Sequence, residues 1–299
     1  MKFLKKISLF AICLVSCSSF AQKAYLLKQD YPVGKKYGYT INSDQIITQK
    51  IDGKELNYIQ NVGTDYLFDI AGVKGTEKTI RVTYKRLTIK SVGMGNELIL
   101  DSDKEEAGKP NPFSGLKNAG FSMVLGANGG VKSVSGVEKM VDSIAAKMTT
   151  DTAQLRQFRL SLAKQFNGEV IRQTMESSLK IFPEKAVKVG ESWVVSTKMQ
   201  ITMPIEASTT YTLKEVKDNV ATLSIKGNLI SKGDFETMGN KMQTDLSGMN
   251  IGDTQVDIKT GIILNSHTRT ELYGKMKVAN QAIDFNMEGI NKITGKEVN

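Results

Sequence analysis

Cysteine is scarce in this 299-residue chain, and histidine and tryptophan occur once each. Both cysteines, Cys13 and Cys17, fall within the first 21 residues. The remainder of the chain therefore has no disulfide, no thiol nucleophile and no cysteine-held metal, and its stability must come from packing and hydrogen bonding. Any His-dependent triad or metal pair would rest on His267, which shares the polar parity of its strand with Asn265, Arg269 and Glu271 and reads as a solvent-facing residue. There is no Gly-x-Ser-x-Gly elbow, no His-Glu-x-x-His pair and no Gly-x-x-x-x-Gly-Lys loop, so serine hydrolase, zincin and P-loop readings lack their parts. After the N-terminus no run reaches the roughly 18 apolar residues of a membrane-spanning helix. Proline is rare too, with five residues and no Pro-rich linker, and 108–112 is the clearest loop.

One sign of charge dominates without clustering. The formal charge is +9, and the three lysines of the N-terminal segment leave +6 on the remainder. These lysines are scattered, with no basic block interleaved with aromatics, so nucleic acid is not an expected partner. The acidic stretch Asp101-Ser102-Asp103-Lys104-Glu105-Glu106 lacks the Gly and Glu of a calcium loop at its sixth and twelfth positions, and reads as a solvated loop. No cofactor or metal set is identified, and the chain is expected not to be an enzyme.

What is present begins with the N-terminus. Lys2, Lys5 and Lys6 precede a short apolar run, Ile7 to Val15, and then the small residues Ser16 to Ala21, the layout of an export signal. Ser19-Phe20-Ala21 before Gln22 is a cleavage site for ordinary signal peptidase. Leu14-Val15-Ser16-Cys17 also fits the box that leads to lipidation at Cys17. The first reading gives a protein in the periplasm or outside the cell; the second anchors it to the outer membrane. The recognisable fold opens at about Leu26 to Gly34, which leaves a short tether from Cys17 and favours the start at Gln22.

Period-two alternation marks the rest of both ends. In 193–203, Trp193, Val195, Thr197, Met199, Ile201 and Met203 share one face, as Tyr37, Tyr39, Ile41, Ile47 and Ile51 do earlier. Asn128-Gly129, Lys259-Thr260-Gly261 and Ala279-Asn280 are placed as hairpin turns. The middle is helical: Val137, Met140, Val141, Ile144, Ala145 and Met148 recur at three- and four-residue steps. Asp151 or Thr152 caps a second helix with Leu155, Phe158, Leu162 and Phe166, and Gly168 separates a third helix with Ile171, Met175 and Leu179, ended by Pro183. The expected organisation is a signal over 1–21, a β-rich half over 22–135, a helical segment over 136–182 and a second β-rich half over 183–299.

The two β-rich stretches resemble each other. Val33-Gly34-Lys35-Lys36-Tyr37 matches Val189-Gly190-Glu191-Ser192-Trp193, and each opens a strand that is followed by a turn and further strands. A diverged duplication accounts for this, with coincidence among generic hairpins as its rival. The expected fold is mainly β with some helix (α+β): two similar antiparallel halves forming a curved sheet or half-barrel around about three central helices. Two separate sandwiches are the second arrangement.

Several segments taken in order carry a resemblance: Ile80 to Leu87, Asp101-Ser102, Gly129 to Gly136, Lys188 to Trp193 and Val256 to Gly261. Together with the Val-Gly-x-x-Tyr opening they are similar to a family of exported, functionally uncharacterised proteins of Bacteroidetes-type envelopes. The resemblance covers most of the chain beyond the signal. It implies export and fold continuity and carries over no catalytic residue.

Methionine is the more telling residue. Of 13, seven lie between Met199 and Met287. Met is flexible and polarizable, and serves apolar surfaces that must adapt to variable ligands as well as ordinary cores. If the sheet wraps the helices, Met140, Met148, Met175, Trp193, Met199 and Met203 would line the space between. The function read from this is a non-enzymatic envelope protein binding an apolar or lipid-like ligand. The alternative is a structural or interaction module with an envelope protein partner, and a carboxylate-dependent hydrolase is third.

Overall fold

The computed structural model describes residues 23–104, 111–200, 203–237, 240–278 and 281–299. The expected export signal, with Cys17 and the Ala21/Gln22 boundary, and the expected Ala279-Asn280 turn lie outside them.

The N-terminal half supplies β1 (Lys36–Ile51), β2 (Lys54–Lys74), β3 (Glu77–Gly93), β4 (Asn96–Asp101), β5 (Gly120–Leu125) and β6 (Val131–Ser135), with a 3-10 turn at Pro112–Leu116. Three helices follow: α1 (Val137–Met148), α2 (Thr152–Gln165) and α3 (Gly168–Leu179). The C-terminal half is β7 (Ser192–Gln200), β8 (Pro204–Lys217), β9 (Val220–Thr237), β10 (Asn240–Asp257), β11 (Ile263–Val278) and β12 (Gln281–Val298). All strands join one antiparallel sheet of order β6-β5-β3-β2-β1-β12-β11-β10-β9-β8-β7, with β4 also on β3. The expected curved sheet with central helices is the arrangement found, and both halves lie in it side by side.

The order has a simple logic. The C-terminal half is a meander, and the N-terminal half departs from one only in that β4 and β5 both pair with β3. Strand β1 pairs with β12 along its whole length, from Lys36↔Val298 to Ile51↔Ile283. This joins the first and last strands as in a closed barrel. The interruption falls in the middle of the chain instead, between β6 and β7, where the helices are inserted. Helix α3 packs against both of these edge strands and so covers the seam.

The helices begin where local chemistry allows. Asp151 accepts from Gln154 N to cap α2, and Asn167 accepts from Val170 N to cap α3. Gly168 is therefore the first residue of α3 rather than a separator. That helix ends at Leu179, four residues before Pro183. Val137, Met140, Val141, Ile144 and Ala145 bury one face of α1, and Ile171, Met175 and Leu179 one face of α3. Helix α2 packs on α1, and only Leu162 and Phe166 of its stripe reach the main core.

Two expectations need correction in the loops. Asn111 and Pro112 do not simply continue a loop: Asn111 accepts from Phe113 N and starts the 3-10 turn. Asp101 is not solvated either. It closes β4, is buried, and accepts a fork of two hydrogen bonds from Arg86 at 3.1 and 2.8 Å, which holds its carboxyl below the usual range.

The segment before β1 is a strap across the helix-bearing rim. Tyr25 and Val187 exchange backbone hydrogen bonds, Gln29 N donates to Ala127 O, and Asp30 N donates to Thr260 O. Lys78, nearly buried, pairs with Asp30 at 3.0 Å. One short segment thus ties the β5–β6 turn, the β10–β11 turn and the approach to β7.

Candidate functional site

The register assigns every strand residue to the concave or the convex face. Across β1, β12, β11, β10 and β9, one row runs Tyr39, Gly295, Ile263, Val256, Ala221, and a parallel row runs Ile47, Met287, Leu272, Gly248, Leu229. These are concave rows, because their members are buried or packed while the alternate residues are exposed. The hydrophobic period therefore sets the direction of curvature.

The concave face has three zones. At the helix-bearing end, α1, α3 and the strap fill the space above Tyr37, Tyr39, Phe68, Ile80, Val82, Leu213 and Leu223, all buried. Aromatic rings continue from strand to strand there: Tyr39 and Phe68 lie 4.8 Å apart, and Tyr66 and Tyr84 also 4.8 Å. Trp193 stacks on Tyr211 at 5.9 Å and donates from Nε1 to Ile181 O at 2.8 Å. Burial pushes the hydroxyls of Tyr31, Tyr39, Tyr66, Tyr84 and Tyr211 above the ordinary tyrosine range.

The middle zone is polar and half-buried. Gln45 Nε2 donates to Ser43 Oγ, Ser43 donates to Asn291 Oδ1, Asn291 Nδ2 donates to Thr270 Oγ1, and Thr270 donates to Asn250 Oδ1, at 2.7 to 3.2 Å. This ladder crosses β1, β12, β11 and β10. It leaves the Gln45 carbonyl at one end and the Asn250 amide nitrogen at the other.

The far zone is a second apolar cluster. Leu229, Leu246, Leu272, Met276, Ile283 and Phe285 are buried there, with Ile47, Ile51, Met203, Ile205, Phe235, Met242 and Met287 half-buried around them. Apart from Met203, just before β8, all of these lie in strands. Helices pack on β5, β6 and β7 at the other end, and among the described residues no helix belongs to this cluster. The strands bury it by curling. In β9–β12 every glycine is concave: Gly227, Gly233, Gly248, Gly252, Gly274, Gly289 and Gly295. A Cβ on Gly248 would lie 1.8 Å from Glu271 O, and one on Gly252 2.0 Å from His267 O. Backbone approaches this close are open only to glycine, and they let the sheet bend sharply there.

Charge follows the same division. Along β1, β2 and β7–β12, concave residues are uncharged apart from Lys54 and Glu297, which stand at the ends of their strands. Charged residues line the convex face, where His267 stands exposed opposite Asp253.

The six residues expected to line an apolar space are distributed. Met140, Met175 and Trp193 belong to the helix-filled core, Met203 to the second cluster, and Met148 and Met199 are half-buried outside both. Sequence reading did not single out Met242, Met276, Met287, Phe235 or Phe285, although strand parity places them together once the register is known. Two clefts lie elsewhere. One of about 340 Å³ between α1 and α2 is lined by Val141, Arg159, Leu160 and Phe166, with Arg159 paired to Asp142 at 2.7 Å. The other, about 570 Å³, lies between α3 and the convex side of β7–β9. Its helix wall is an ion-pair series in which Arg172 bridges Glu169 and Glu176, and the guanidinium draws the Glu169 carboxyl down to about 2.

Comparison with known proteins adds fold and family. No curated protein matches the chain. The structure titled "Lipid-protein interactions in lipovitellin" aligns with TM-score 0.50 at 10% identity over 89% of this chain, which spans 25% of that one. The translocator domain of the autotransporter NalP from Neisseria meningitidis aligns with TM-score 0.32 at 7% identity, over 88% of this chain and 89% of its own. An outer membrane channel from Pseudomonas putida F1 gives TM-score 0.27 at 8% identity, over 90% and 97%. The lipovitellin likeness is one of fold. Residues 75–263, spanning β3–β10 and all three helices, match the model of DUF6263, and the chain belongs to this family of unknown function.

Proposed function

We propose that this is an exported, non-enzymatic protein of a Bacteroidetes-type bacterial envelope that holds an apolar, lipid-like ligand on the concave face of its sheet. The observation that carries the reading is the second apolar cluster. Its rim of Ile, Phe and Met side chains is half-buried, and no described helix lies over it. Met-rich rims adapt to acyl chains of different shape. The export-type N-terminus supports the location, and the amides and hydroxyls that the described residues present in the middle of the concave face support binding over hydrolysis.

The test is to purify the exported protein in its native state and identify organic-extractable molecules by mass spectrometry. A lipid recovered near one per chain is expected; a protein free of extractable apolar ligand that also refuses added lipid overturns the proposal. The mass of the mature N-terminus separates a start at Gln22 from a lipidated Cys17.

A second reading, an envelope interaction module, draws on the convex face. Ile46 and Ile59 are cross-strand partners 55% and 49% exposed, with Ile290 nearby at 41%. Ile46→Asp would abolish a partner contact there without affecting lipid retention.

A further inference from the structure

We propose that the ligand of the concave face is an uncharged amphiphile, whose hydroxyl or ester head lies on the polar ladder and whose chain lies on the second apolar cluster. This rests on the lipid-binding reading and narrows it. The ladder of Gln45, Ser43, Asn291, Thr270 and Asn250 directly adjoins the cluster: the row holding Asn250 and Thr270 is followed, two residues along each strand, by Gly248 and Leu272. A bound molecule covering both would meet amides and hydroxyls at one end and Met, Ile and Phe at the other.

The ladder selects by charge. Its groups are neutral donors and acceptors, with the Asn250 amide nitrogen and the Gln45 carbonyl uncommitted within it. Those two complement a hydroxyl or an ester. A phosphate or carboxylate in the same place would lose its hydration with no nearby concave cation to replace it, since among the described residues of β1, β2 and β7–β12 the only charged concave ones are Lys54 and Glu297 at the strand ends. An unmatched buried anion costs several kcal/mol, far more than a neutral polar group that finds a hydrogen bond. Outward-facing lysines such as Lys226 and Lys292 lie on the opposite face and cannot compensate.

The experiment compares monoolein with oleate at about pH 9, where the fatty carboxylate is ionised, below their aggregation thresholds, by native mass spectrometry and competitive displacement. The two probes share the same chain, so the difference reports the head. Monoolein is expected to bind at least about tenfold more tightly, the discrimination that an unmatched polar or charged group typically imposes. Asn250→Lys, which sets a cation on the ladder, is expected to reverse the order, whereas Asn286→Lys on the convex side of β12 leaves it unchanged. Equal binding of both probes, or tighter oleate, overturns the charge selection and leaves the lipid reading standing. Failure of both probes to bind overturns the lipid reading and this inference with it. If Asn250→Lys does not fold, the wild-type ratio alone decides.

Discussion

The approaches to β1 and β7 are built alike, yet the strands they open meet different fates. Lys35 N donates to Pro32 O, as Glu191 N does to Lys188 O. Gly34 and Gly190 have φ of +81° and +91°. Gly34 N donates to Ile70 O and Ile70 N to Lys35 O; Gly190 N donates to Leu213 O and Leu213 N to Glu191 O. Beyond this shared geometry, β1 enters the centre of the sheet between β2 and β12, while β7 has β8 on one side and α3 on the other. The halves also bend by different means. The first three strands carry one concave glycine, Gly93, and a run of aromatic rings, whereas β9–β12 carry the glycines. Local sequence therefore builds the hairpin opening, and the composition of the concave face decides how far the sheet closes.

The largest effect should come from attacking that curvature. Gly248→Ala would set a Cβ 1.8 Å from a backbone oxygen that cannot move alone, so a loss on the order of 4 kcal/mol or failure to fold is expected. Gly63→Ala, on the convex side of β2, would meet the Thr88 hydroxyl at 2.6 Å, a side chain able to turn away, and should cost about 1 kcal/mol. Urea unfolding of the two variants checks this. Similar losses would show that concave glycines in the C-terminal half have no special part in the bend.

Next in size is the aromatic residue that each opening delivers. Tyr37 is 1% exposed, so Tyr37→Ala should cost about 4 kcal/mol, as large-to-small changes in packed cores do. Trp193 is only half-buried beside α3, and Trp193→Ala should cost about 2 kcal/mol, part of it the hydrogen bond to Ile181. A reversed order in thermal or chemical unfolding would mean that the seam holds the molecule together more than the strand β1 at the sheet's centre does.

The same contrast marks what could be read from residues alone. The stripes of α1 and α3, the Asn128-Gly129 hairpin and the paired Val-Gly openings are local signals, complete within a few turns or strand residues. The pairing of β1 with β12 joins residues more than 230 apart and leaves no local trace. The ladder from Gln45 to Asn250 needs four strands in register before its members meet. Met203 could be placed on a concave face by parity, but its separation from Met140 and Met175 depends on where the helices stop along the trough. Helix α2 has a respectable stripe, yet it rests on α1, because α1 and α3 already occupy the space above the sheet.

Alkali should separate the halves more gently. Burial holds the hydroxyls of Tyr66 and Tyr84 in the first half, and Tyr211 in the second, above the ordinary range. A raised folded value means stability that is intact below about pH 10, the unfolded tyrosine value, and lost as pH rises above it, by up to about 1.4 kcal/mol per pH unit for each group. Replacing Tyr66 and Tyr84 together by Phe should flatten the fall in melting temperature above pH 10 about twice as much as Tyr211→Phe. Equal flattening would show that only one hydroxyl of the Tyr66–Tyr84 pair is held above the ordinary range, and no flattening in either variant would show that these hydroxyls reach solvent in the folded protein.

The smallest difference tests the comparison most directly. At Gly34 and Gly190 an added Cβ would meet nothing within 4 Å, so the only cost of alanine is the left-handed backbone, about 1 kcal/mol at each. Their surroundings differ, since one precedes a central strand and the other a strand beside a helix. If the two turns are the same local structure, Gly34→Ala and Gly190→Ala should lose equal stability within the error of denaturant titration, and the double variant should lose their sum, because the sites share no partner. A clear inequality would mean that the strand's partner, β12 or α3, reaches back into the turn. The shared hydrogen-bond pattern would then reflect convergence on a common turn more than a common unit.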